Sequence, residues 1–247
     1  IDLKWMHTDG GEPFTVGYLT SLPLDSATDD SGLYFAATSA QQIVHAAHED
    51  LATEHLLSSA SDPLAIEITD EFAVWSAANG CVYQGPKAGG DPEVIACADG
   101  TPTALALSND RVYWGTAEGN LYESELIPDS PAFKLASGQE FTAGLVADQS
   151  GLYWADASNR EVLRYRFASE ALEVLAADQF QPAGITQDRF FLYFTTQADG
   201  SVKRVLKAGG HAKTLSQMPS EPAEIVASGE WLYWVNEADG TIMRLLK

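Results

Sequence analysis

The segment GLYWADASNREVLRYRF (residues 151–167) joins an aromatic pair, Tyr153 and Trp154, to a stretch in which apolar and polar residues alternate. Its first four residues have counterparts along the chain, and the motif occurs as GLYF (32–35), FAVW (72–75), RVYW (111–114), GLYW (151–154), FLYF (191–194) and WLYW (231–234). The final aromatic residues of these motifs are 40, 39, 40, 40 and 40 residues apart. A spacing this constant indicates a chain built from six repeats.

Each repeat contains four strand-like segments, named A to D in chain order. Strand A follows a proline in most repeats, as in PAEIVAS (222–228), and strand B is the aromatic motif. Strand C follows a turn with Gly or Asn, as in DGSVKRVLK (199–207), and strand D is short and apolar, as in KTLS (213–216). Repeats of about 40 residues with four antiparallel strands are typical of propeller blades. The sequence therefore predicts an all-β fold, a six-bladed β-propeller with four antiparallel strands per blade.

The two ends of the chain are predicted to share one blade. Residues 2–17 align without gaps with residues 201–216 and so contain strands C and D, whereas the repeat that begins at Pro222 has strands A, B and C. We expect residues 1–20 to complete this last blade, with residues 13–19 as its outermost strand, because closing the ring removes a free sheet edge.

One strand is in surplus in this arrangement. Residues 2–6 and 241–246 both resemble strand C. We assign residues 241–246 to the last blade and interpret residues 2–6 as an added edge or a displaced extension. Residues 1–247 are then predicted to form a single propeller domain, in which Tyr153 and Trp154 pack between blades.

The repeat resembles a known family. The Tyr-Trp pair followed by Asp156, the 40-residue period and the six copies resemble the YWTD six-bladed propellers of the low-density-lipoprotein-receptor class. The KAGG turns (87–90 and 207–210) and the LYW strands are also similar to bacterial secreted propellers and lipoproteins. The resemblance covers essentially the whole chain and rests on packing and turn residues, so it implies the fold rather than a function.

Composition and charge restrict the classes of partner. The chain has 35 acidic and 14 basic side chains, for a formal net charge of −21, and phosphate repulsion therefore argues against a nucleic-acid partner. No apolar run approaches the roughly 18 residues of a membrane span. Common enzyme motifs such as a G-x-S-x-G elbow, a phosphate-binding loop or H-E-x-x-H are missing from the sequence. These features favour a cationic ligand and disfavour the motif-bearing enzyme classes.

The two cysteines predict a disulfide bond. Cys81 and Cys97 lie at the start of strand C and the end of strand D of one repeat, almost symmetric about Gly89, so they should face each other across a hairpin. The alternative is a reduced pair in a cytosolic protein. Disulfides persist in oxidising compartments, so we expect a secreted, periplasmic or cell-surface protein of bacterial origin whose leader has been removed.

Acidic residues recur in the loops at one end of the predicted blades. Propeller ligands usually bind where the D–A and B–C loops surround the mouth of the central channel, and carboxylates repeated around such a ring concentrate negative potential there. The alternative is that these residues only solvate the rim. The D–A loops contain Asp62, Asp99, Glu140, Asp178 and Glu221, and the B–C loops contain Glu118, Asp156, Asp199, Glu237 and Asp239.

Three further acids are predicted on the innermost strands. Most inner positions are small, but Asp25, Glu67 and Glu224 are acidic and belong to blades one, two and six, which are neighbours in a closed ring. Converging carboxylates can hold Ca²⁺ or another hard cation, or an ammonium or guanidinium group. The position of these acids is similar to that of the calcium ligands in six-bladed lactonases of the gluconolactonase and paraoxonase type. The alternative is that each acid faces channel water singly.

Three functions are compatible with these features. The first is a monomeric, non-catalytic binding propeller whose ligand residues are Asp62, Asp99, Glu140, Asp156, Asp178 and Glu221, and whose partner is a cationic peptide, protein or small molecule. The second is a metal-dependent hydrolase, lactonase or lyase with an ion held by Asp25, Glu67 and Glu224. The third is a structural scaffold in which the acids only keep the protein soluble.

Overall fold

The strands were located in a computed structural model, which describes residues 2–5, 14–18, 24–47, 50–59, 62–140, 144–218 and 220–247. Pro23, Thr142 and Ala143, which the sequence assigns to strand A, lie outside these residues, as do residues 6–13 and 19–20 of the predicted closing segment.

The described strands form six blade sheets and one short hairpin. In each complete blade the strand order follows the chain, A-B-C-D, so every neighbour in the sheet is also a neighbour in sequence. The prediction of an all-β, six-bladed β-propeller is confirmed. The hairpin consists of β1 (Asp2–Trp5) and β2 (Phe14–Tyr18), and a 3₁₀ turn at Thr38–Ala40 interrupts blade one. The blades are, in order, β3 (Ser26–Asp29), β4 (Gly32–Ala37), β5 (Gln42–Ala47) and β6 (Asp50–Ser59); β7 (Pro63–Ile68), β8 (Phe72–Ala77), β9 (Cys81–Pro86) and β10 (Glu93–Cys97); β11 (Pro102–Ser108), β12 (Arg111–Thr116), β13 (Leu121–Glu125) and β14 (Phe133–Ala136); β15 (Leu145–Asp148), β16 (Gly151–Asp156), β17 (Glu161–Arg166) and β18 (Ala171–Ala176); β19 (Pro182–Gln187), β20 (Phe191–Thr196), β21 (Ser201–Leu206) and β22 (Lys213–Gln217); and β23 (Pro222–Ser228), β24 (Trp231–Asn236) and β25 (Thr241–Leu246).

The chain divides into two compact units. The first comprises Ile1–Leu105 with Ser124–Ala132, and the second Ala106–Glu123 with Phe133–Lys247. Blades one and two lie in the first unit, and blades four, five and six in the second. That the whole chain is a single domain stays a prediction.

The N-terminal hairpin repeats the C–D hairpin of blade five. β1 pairs with β2 in the register that β21 makes with β22, displaced by 199 residues, and both hairpins have an irregularity after the second pair. The gapless alignment of these segments is therefore confirmed at the level of strand pairing. In the last blade, β25 pairs with β24 as the predicted strand C. The docking of residues 13–19 as the outer strand of that blade stays a prediction.

Aromatic side chains of strand B pack between neighbouring blades within each unit. Tyr153 of blade four is fully buried in a cluster with Ile185 and Phe194 of blade five. Tyr193 occupies the same position between blades five and six, where it meets Ile225 and Trp234. Burying a large aromatic side chain stabilises by roughly 1.5–3 kcal/mol, which explains why the aromatic residues recur with the repeat.

An ion pair also joins neighbouring blades at the end formed by the A–B turns. We call it the inter-blade clamp: an Asp at the end of strand A and a Tyr of strand B in one blade, with the Lys that follows strand C in the next. The lysine Nζ lies near the carboxylate and over the tyrosine ring. The clamps are Lys87–Asp29 (2.6 Å) with Tyr34, Lys207–Asp148 (2.7 Å) with Tyr153, and Lys247–Asp188 (3.9 Å) with Tyr193.

The interface between blades three and four replaces the clamp with neutral groups. Phe167 occupies the position of the lysine and stacks on Tyr113 at 5.2 Å, while Ser108 replaces the aspartate. The Ser108 hydroxyl donates a hydrogen bond to the carbonyl of Asp148 at 2.9 Å. Because the anion and the cation are replaced together, neither charge is left without a partner at this interface.

The predicted disulfide is confirmed. Cys81 and Cys97 are directly opposite each other on β9 and β10, and their sulfur atoms are bonded at 1.99 Å. The bond ties together the two ends of the blade-two C–D hairpin. No described helix has the length and apolar character needed to cross a membrane.

Candidate functional site

The D–A and B–C loops meet at the same end of each blade, as predicted. In blades two, five and six the carbonyl of the residue before the strand A proline accepts a hydrogen bond from a backbone N–H of the B–C loop. All of these pre-proline residues have positive φ, which turns the chain sharply into strand A. The pairs are Asp62 (φ 45°) with Ala78 at 3.1 Å, Gln181 (φ 56°) with Gln197 at 3.0 Å, and Glu221 (φ 49°) with Glu237 at 3.1 Å.

Blade four makes this connection with a side chain. Asp156 is fully buried, and its carboxylate accepts hydrogen bonds from the backbone N–H of Glu140 (3.0 Å) and from both the backbone (2.8 Å) and the side-chain amide (3.0 Å) of Asn159. Glu140 in turn accepts a hydrogen bond from the Ser158 backbone at 2.6 Å. The structure thus gives Asp156 the role of holding the loop, and a ligand would reach it only if that loop opened.

Two adjoining cavities lie at this loop end in the second unit. The first has a volume of about 460 Å³ and is lined by Gln181, Gln197, Ala198, Asp199, Gly200 and Glu221. The second, of about 240 Å³, is lined by Gln181, Gln197, Glu140, Glu224, Glu237 and Gly184, together with small apolar neighbours. The structure therefore brings the predicted residues Glu140 and Glu224 to one cavity and Glu221 to the other.

Gly184 allows the close packing beside the second cavity. A Cβ atom at this position would lie 2.5 Å from the carbonyl oxygen of Ala223 and 2.9 Å from the Cα of Glu224. Any larger residue would push the inner strands of blades five and six apart. The glycine thus fixes where the Glu224 backbone sits relative to blade five.

The acids of the two cavities have different partners. Asp199 forms an ion pair with the buried Lys203 (2.8 Å), which also contacts the Gln179 side chain at 3.4 Å. Burial opposes ionisation of Asp199, but hydrogen bonds from Lys203, Thr196 and Ser201 together with the Lys203 charge outweigh it, and the pKa of Asp199 lies below its ordinary value. Glu237 accepts a hydrogen bond from the Gln197 side chain at 3.3 Å. The second cavity is lined by the carboxylates of Glu140, Glu224 and Glu237, by glutamine amides and by small residues.

A second acidic feature lies in the first unit. The Asp25 carboxylate accepts hydrogen bonds from the backbone N–H of Ile66 (2.9 Å) and of Ser26 (2.8 Å). Desolvation by the surrounding protein nevertheless raises the pKa of Asp25. Desolvation, with the charge of Asp25 as the second cause, raises the pKa of Glu67 to about 7. The charge of Asp25 therefore acts on Glu67, as expected for neighbouring inner-strand acids.

The other predicted residues are more dispersed. Asp62 accepts a hydrogen bond from the Gln41 side chain at 3.3 Å, and Asp99 and Asp178 are exposed in D–A loops. Glu224 lines the second cavity. In the part of the chain that the structure describes, no three His, Cys, Asp or Glu side chains are grouped closely enough to hold a metal ion. A Ca²⁺ ion takes about six to eight oxygen ligands. The calcium ion stays a prediction.

Sequence reasoning missed two residues, Gln181 and Gln197, which line both cavities. The signal was available in the repeat, because Gln181 aligns with Asp62 and Glu221 before the strand A proline. Glutamine carries no charge, so a pattern of acidic residues does not include it.

Comparison with known proteins supports the fold. Neither a family model nor a curated relative matches the chain. Among solved structures, a catalytically inactive histidine-to-alanine variant of virginiamycin B lyase from Staphylococcus aureus with quinupristin has a TM-score of 0.77 at 16% identity, covering 99% of this chain and 87% of that one. A streptogramin B lyase structure has a TM-score of 0.74 at 13% identity, covering 91% and 83%. A nidogen/laminin complex has a TM-score of 0.64 at 16% identity, covering 84% and 86%. At these identities the likeness shows the propeller fold alone.

Proposed function

We propose that this protein is a binding propeller that takes up a cationic ligand at the loop end of blades four to six. The observation that carries the proposal is the second cavity, where Glu140, Glu224 and Glu237 surround a space of about 240 Å³. Carboxylates attract an ammonium or guanidinium group most strongly where the protein excludes part of the solvent. The formal charge of −21 adds a long-range field that speeds the approach of a cation.

Titration calorimetry with a lysine-containing peptide tests the proposal. Neutralising Glu224→Gln together with Glu237→Gln should weaken binding about tenfold, because two charge interactions are lost. Glu230→Gln is the matched control, since Glu230 lies in the A–B turn of the same blade. Binding by the unaltered protein should weaken steeply with added salt. An equal loss in the control and the double variant, or a flat salt response, would overturn the proposal.

We infer a propeller of the YWTD type that acts in an exported, oxidising location. The aromatic motif at its 40-residue spacing supports the first statement, and the Cys81–Cys97 disulfide supports the second because such bonds persist outside the reducing cytosol. Isolating the protein from its source with the thiols alkylated beforehand tests the location, and a reduced pair would contradict it.

Metal-assisted hydrolysis or lyase chemistry is the second candidate, favoured by the effect of the Asp25 charge on Glu67 of the neighbouring inner strand. A bound divalent ion would polarise a substrate carbonyl and lower the pKa of water.

The structurally similar virginiamycin B lyase is catalytically inactive when one of its histidines is replaced by alanine. In this chain His45 on β5 and His211 between β21 and β22 are not among the residues that line the two cavities. Calorimetry with Ca²⁺ on the parent and on Asp25→Asn decides this candidate, and an absence of binding to the parent eliminates it. If the protein binds neither a cationic ligand nor a metal ion, the structural scaffold is the candidate function that remains.

A further inference from the structure

The outer strands of blades one to four share an apolar residue at the irregularity in their pairing with strand C. A residue at such an irregularity has no partner directly opposite it, so its backbone is available to another segment. These residues are Leu57, Ile95, Leu135 and Leu175.

The C–D connection of the next blade caps three of these four outer strands. The donors are the backbone N–H groups of Gly90 to the carbonyl of Leu57 (3.1 Å), Ser130 to Ile95 (2.8 Å) and Gly210 to Leu175 (3.3 Å). The three capped side chains are buried, with exposed fractions of 8%, 0% and 4%. Backbone from a neighbouring blade therefore covers the sheet edge at this repeat position.

Blade three lacks this cap. Among the described residues, no backbone N–H of blade four is hydrogen-bonded to the Leu135 carbonyl, and the Leu135 side chain is only partly buried. The C–D connection of blade four has four residues (167–170), against six in blade two (87–92) and in blade five (207–212). The shorter connection explains why β14 stays uncovered.

The face of β14 that carries Phe133 lies towards blade four. Phe133 is paired with Glu123 on β13, and Leu172 of β18 is paired with Tyr165 on β17. Burial, followed by the charges of Glu170 and Glu123, raises the pKa of Tyr165. Because Glu123 of blade three acts on Tyr165 of blade four, the two strand faces that carry Phe133 and Leu172 are turned towards each other.

We call the space between these faces the outer groove, defined by Phe133 and Leu135 of β14 and Leu172 and Val174 of β18. Val174 is paired with Leu163 and therefore lies on the same face of blade four as Leu172. Phe133, Leu172 and Val174 are 53%, 44% and 51% exposed. The groove thus combines exposed apolar side chains with a backbone carbonyl that is capped in the other three blades.

We propose that the outer groove binds an extended peptide segment of a partner protein, which adds a strand beside β14. The peptide donates a backbone N–H to the Leu135 carbonyl, as Gly210 does to Leu175, and places an apolar side chain against Phe133 and Val174. Backbone hydrogen bonds give affinity in this mode of recognition, and side-chain pockets give specificity. The inference does not rest on the proposed function, because none of the groove residues lines the two cavities.

Charge complementarity specifies the peptide further. Glu170 is exposed in the turn that precedes β18, and its charge reaches Tyr165 beside the groove. A lysine or arginine next to the apolar residue of the peptide is therefore favoured. A second copy of this chain is disfavoured as the occupant, because it brings a further formal charge of −21.

Titration calorimetry with a designed strand peptide tests the proposal. The probe is the end-blocked heptapeptide Lys-Thr-Val-Thr-Val-Thr-Lys, whose valines and lysines share one face when it is extended. Phe133→Ser should weaken its binding about fivefold, because apolar contact area is lost. Phe190→Ser is the matched control, since Phe190 is 60% exposed in the A–B turn of blade five and should leave binding unchanged. Coinciding thermal unfolding curves establish that both variants are folded.

A series of singly N-methylated probes tests the backbone contact. Methylation removes one N–H donor at a time, and successive N–H groups of a strand point to opposite sides. We expect losses of about tenfold at alternate positions only. Equal losses at all positions, or none, would overturn the added strand. Replacing both lysines with glutamate should weaken binding about threefold in the parent and less in Glu170→Gln, and tighter binding of the glutamate probe would overturn the basic peptide.

Two further measurements separate this site from the alternatives. The probe should keep its dependence on Phe133 in the Glu224→Gln, Glu237→Gln double variant, so loss of cavity binding and loss of groove binding are distinguishable. Sedimentation velocity tests for a second copy. If the parent forms a dimer that Phe133→Ser abolishes, or if the probe binds the parent no better than it binds Phe133→Ser, the peptide proposal is wrong.

Discussion

The two ends of the blades use acidic residues in opposite ways. At the A–B turns, Asp29, Asp148 and Asp188 occupy the same repeat position, and each faces a lysine of the next blade. At the D–A and B–C loops, the acids differ in position and partner from blade to blade, and several line cavities. Acids that recur in register with a cation hold the blades together, whereas acids without that regularity are the candidates for function.

The pKa values of the clamp aspartates and of the inner-strand acids are shifted in opposite directions. Burial opposes the ionisation of Asp148, but hydrogen bonds from Lys207 and Ser150 outweigh it and hold its pKa below the ordinary value. Burial of Asp188 is likewise outweighed, by Tyr193 and by backbone N–H groups. Asp25 and Glu67 show the reverse, with raised pKa values. An unfavourable electrostatic environment is therefore a feature of these two inner-strand acids of the first unit.

The largest expected effect comes from breaking a clamp. Asp148→Ala removes the acceptor of hydrogen bonds from the Ser150 backbone and hydroxyl, from Tyr153 and from Lys207, whose side chain is only 13% exposed. Leaving that ammonium group without its partner should cost about 3 kcal/mol of unfolding free energy, measured by urea denaturation. Asp99→Ala, an exposed acid of the loop end, should cost less than about 0.5 kcal/mol. Equal costs would remove the distinction between the two ends.

The next effect concerns pH. A carboxyl group whose folded pKa is raised binds its proton more tightly in the folded state, so its contribution to stability is present at low pH and is lost as pH rises through the folded value. For Glu67 the window runs from its ordinary value of 4.5 to about 7. Glu67→Gln should flatten the fall in stability across this window by roughly 1–2 kcal/mol, a figure reduced for partial exposure.

Urea denaturation at intervals between pH 4 and pH 7.5 measures this profile, with Glu230→Gln as the control. The clamp aspartates titrate in the opposite direction, because their lowered pKa values make them stabilising above the ordinary value of 3.8 and destabilising on protonation below it. A profile for Glu67→Gln that parallels the parent between pH 4.5 and 7 would contradict the raised pKa.

The smallest effect comes from moving a clamp to an interface that has none. Phe167→Lys places a lysine beside Tyr113 with no aspartate, which should cost about 1–1.5 kcal/mol from lost stacking and an unpaired charge. Adding Ser108→Asp should recover roughly 0.5–1 kcal/mol by completing the clamp. A double-mutant cycle in urea measures the coupling. If the double variant is no more stable than the single one, the clamp is not a transferable unit.

Repetition made most of the fold predictable. Predicted strands such as PAEIVAS (222–228) coincide with observed ones, here β23, and KTLS (213–216) falls within β22. The Cys81–Cys97 pairing followed from the same alignment. An aromatic residue that must be buried every 40 residues leaves little choice of register, since a slip by one residue turns the aromatic face to solvent.

The site was less predictable, and Asp156 shows why. From its position at the end of strand B it was expected to face a ligand, yet three N–H groups of Glu140 and Asn159 enclose it. Gln181, by contrast, carries no charge that would mark it in the sequence, but it lines both cavities. Both outcomes depend on which loop atoms come within hydrogen-bonding distance.

The sequence by itself determined the six-bladed fold, the strand order, the disulfide and the excess of negative charge, because each follows from a period or a count along the chain. Only the tertiary structure decided which carboxylates pair with lysines or backbone N–H groups and which line a cavity. The physical reason is range: burial patterns repeat with every strand, whereas a hydrogen bond or an ion pair depends on about an ångström of separation between groups far apart in sequence.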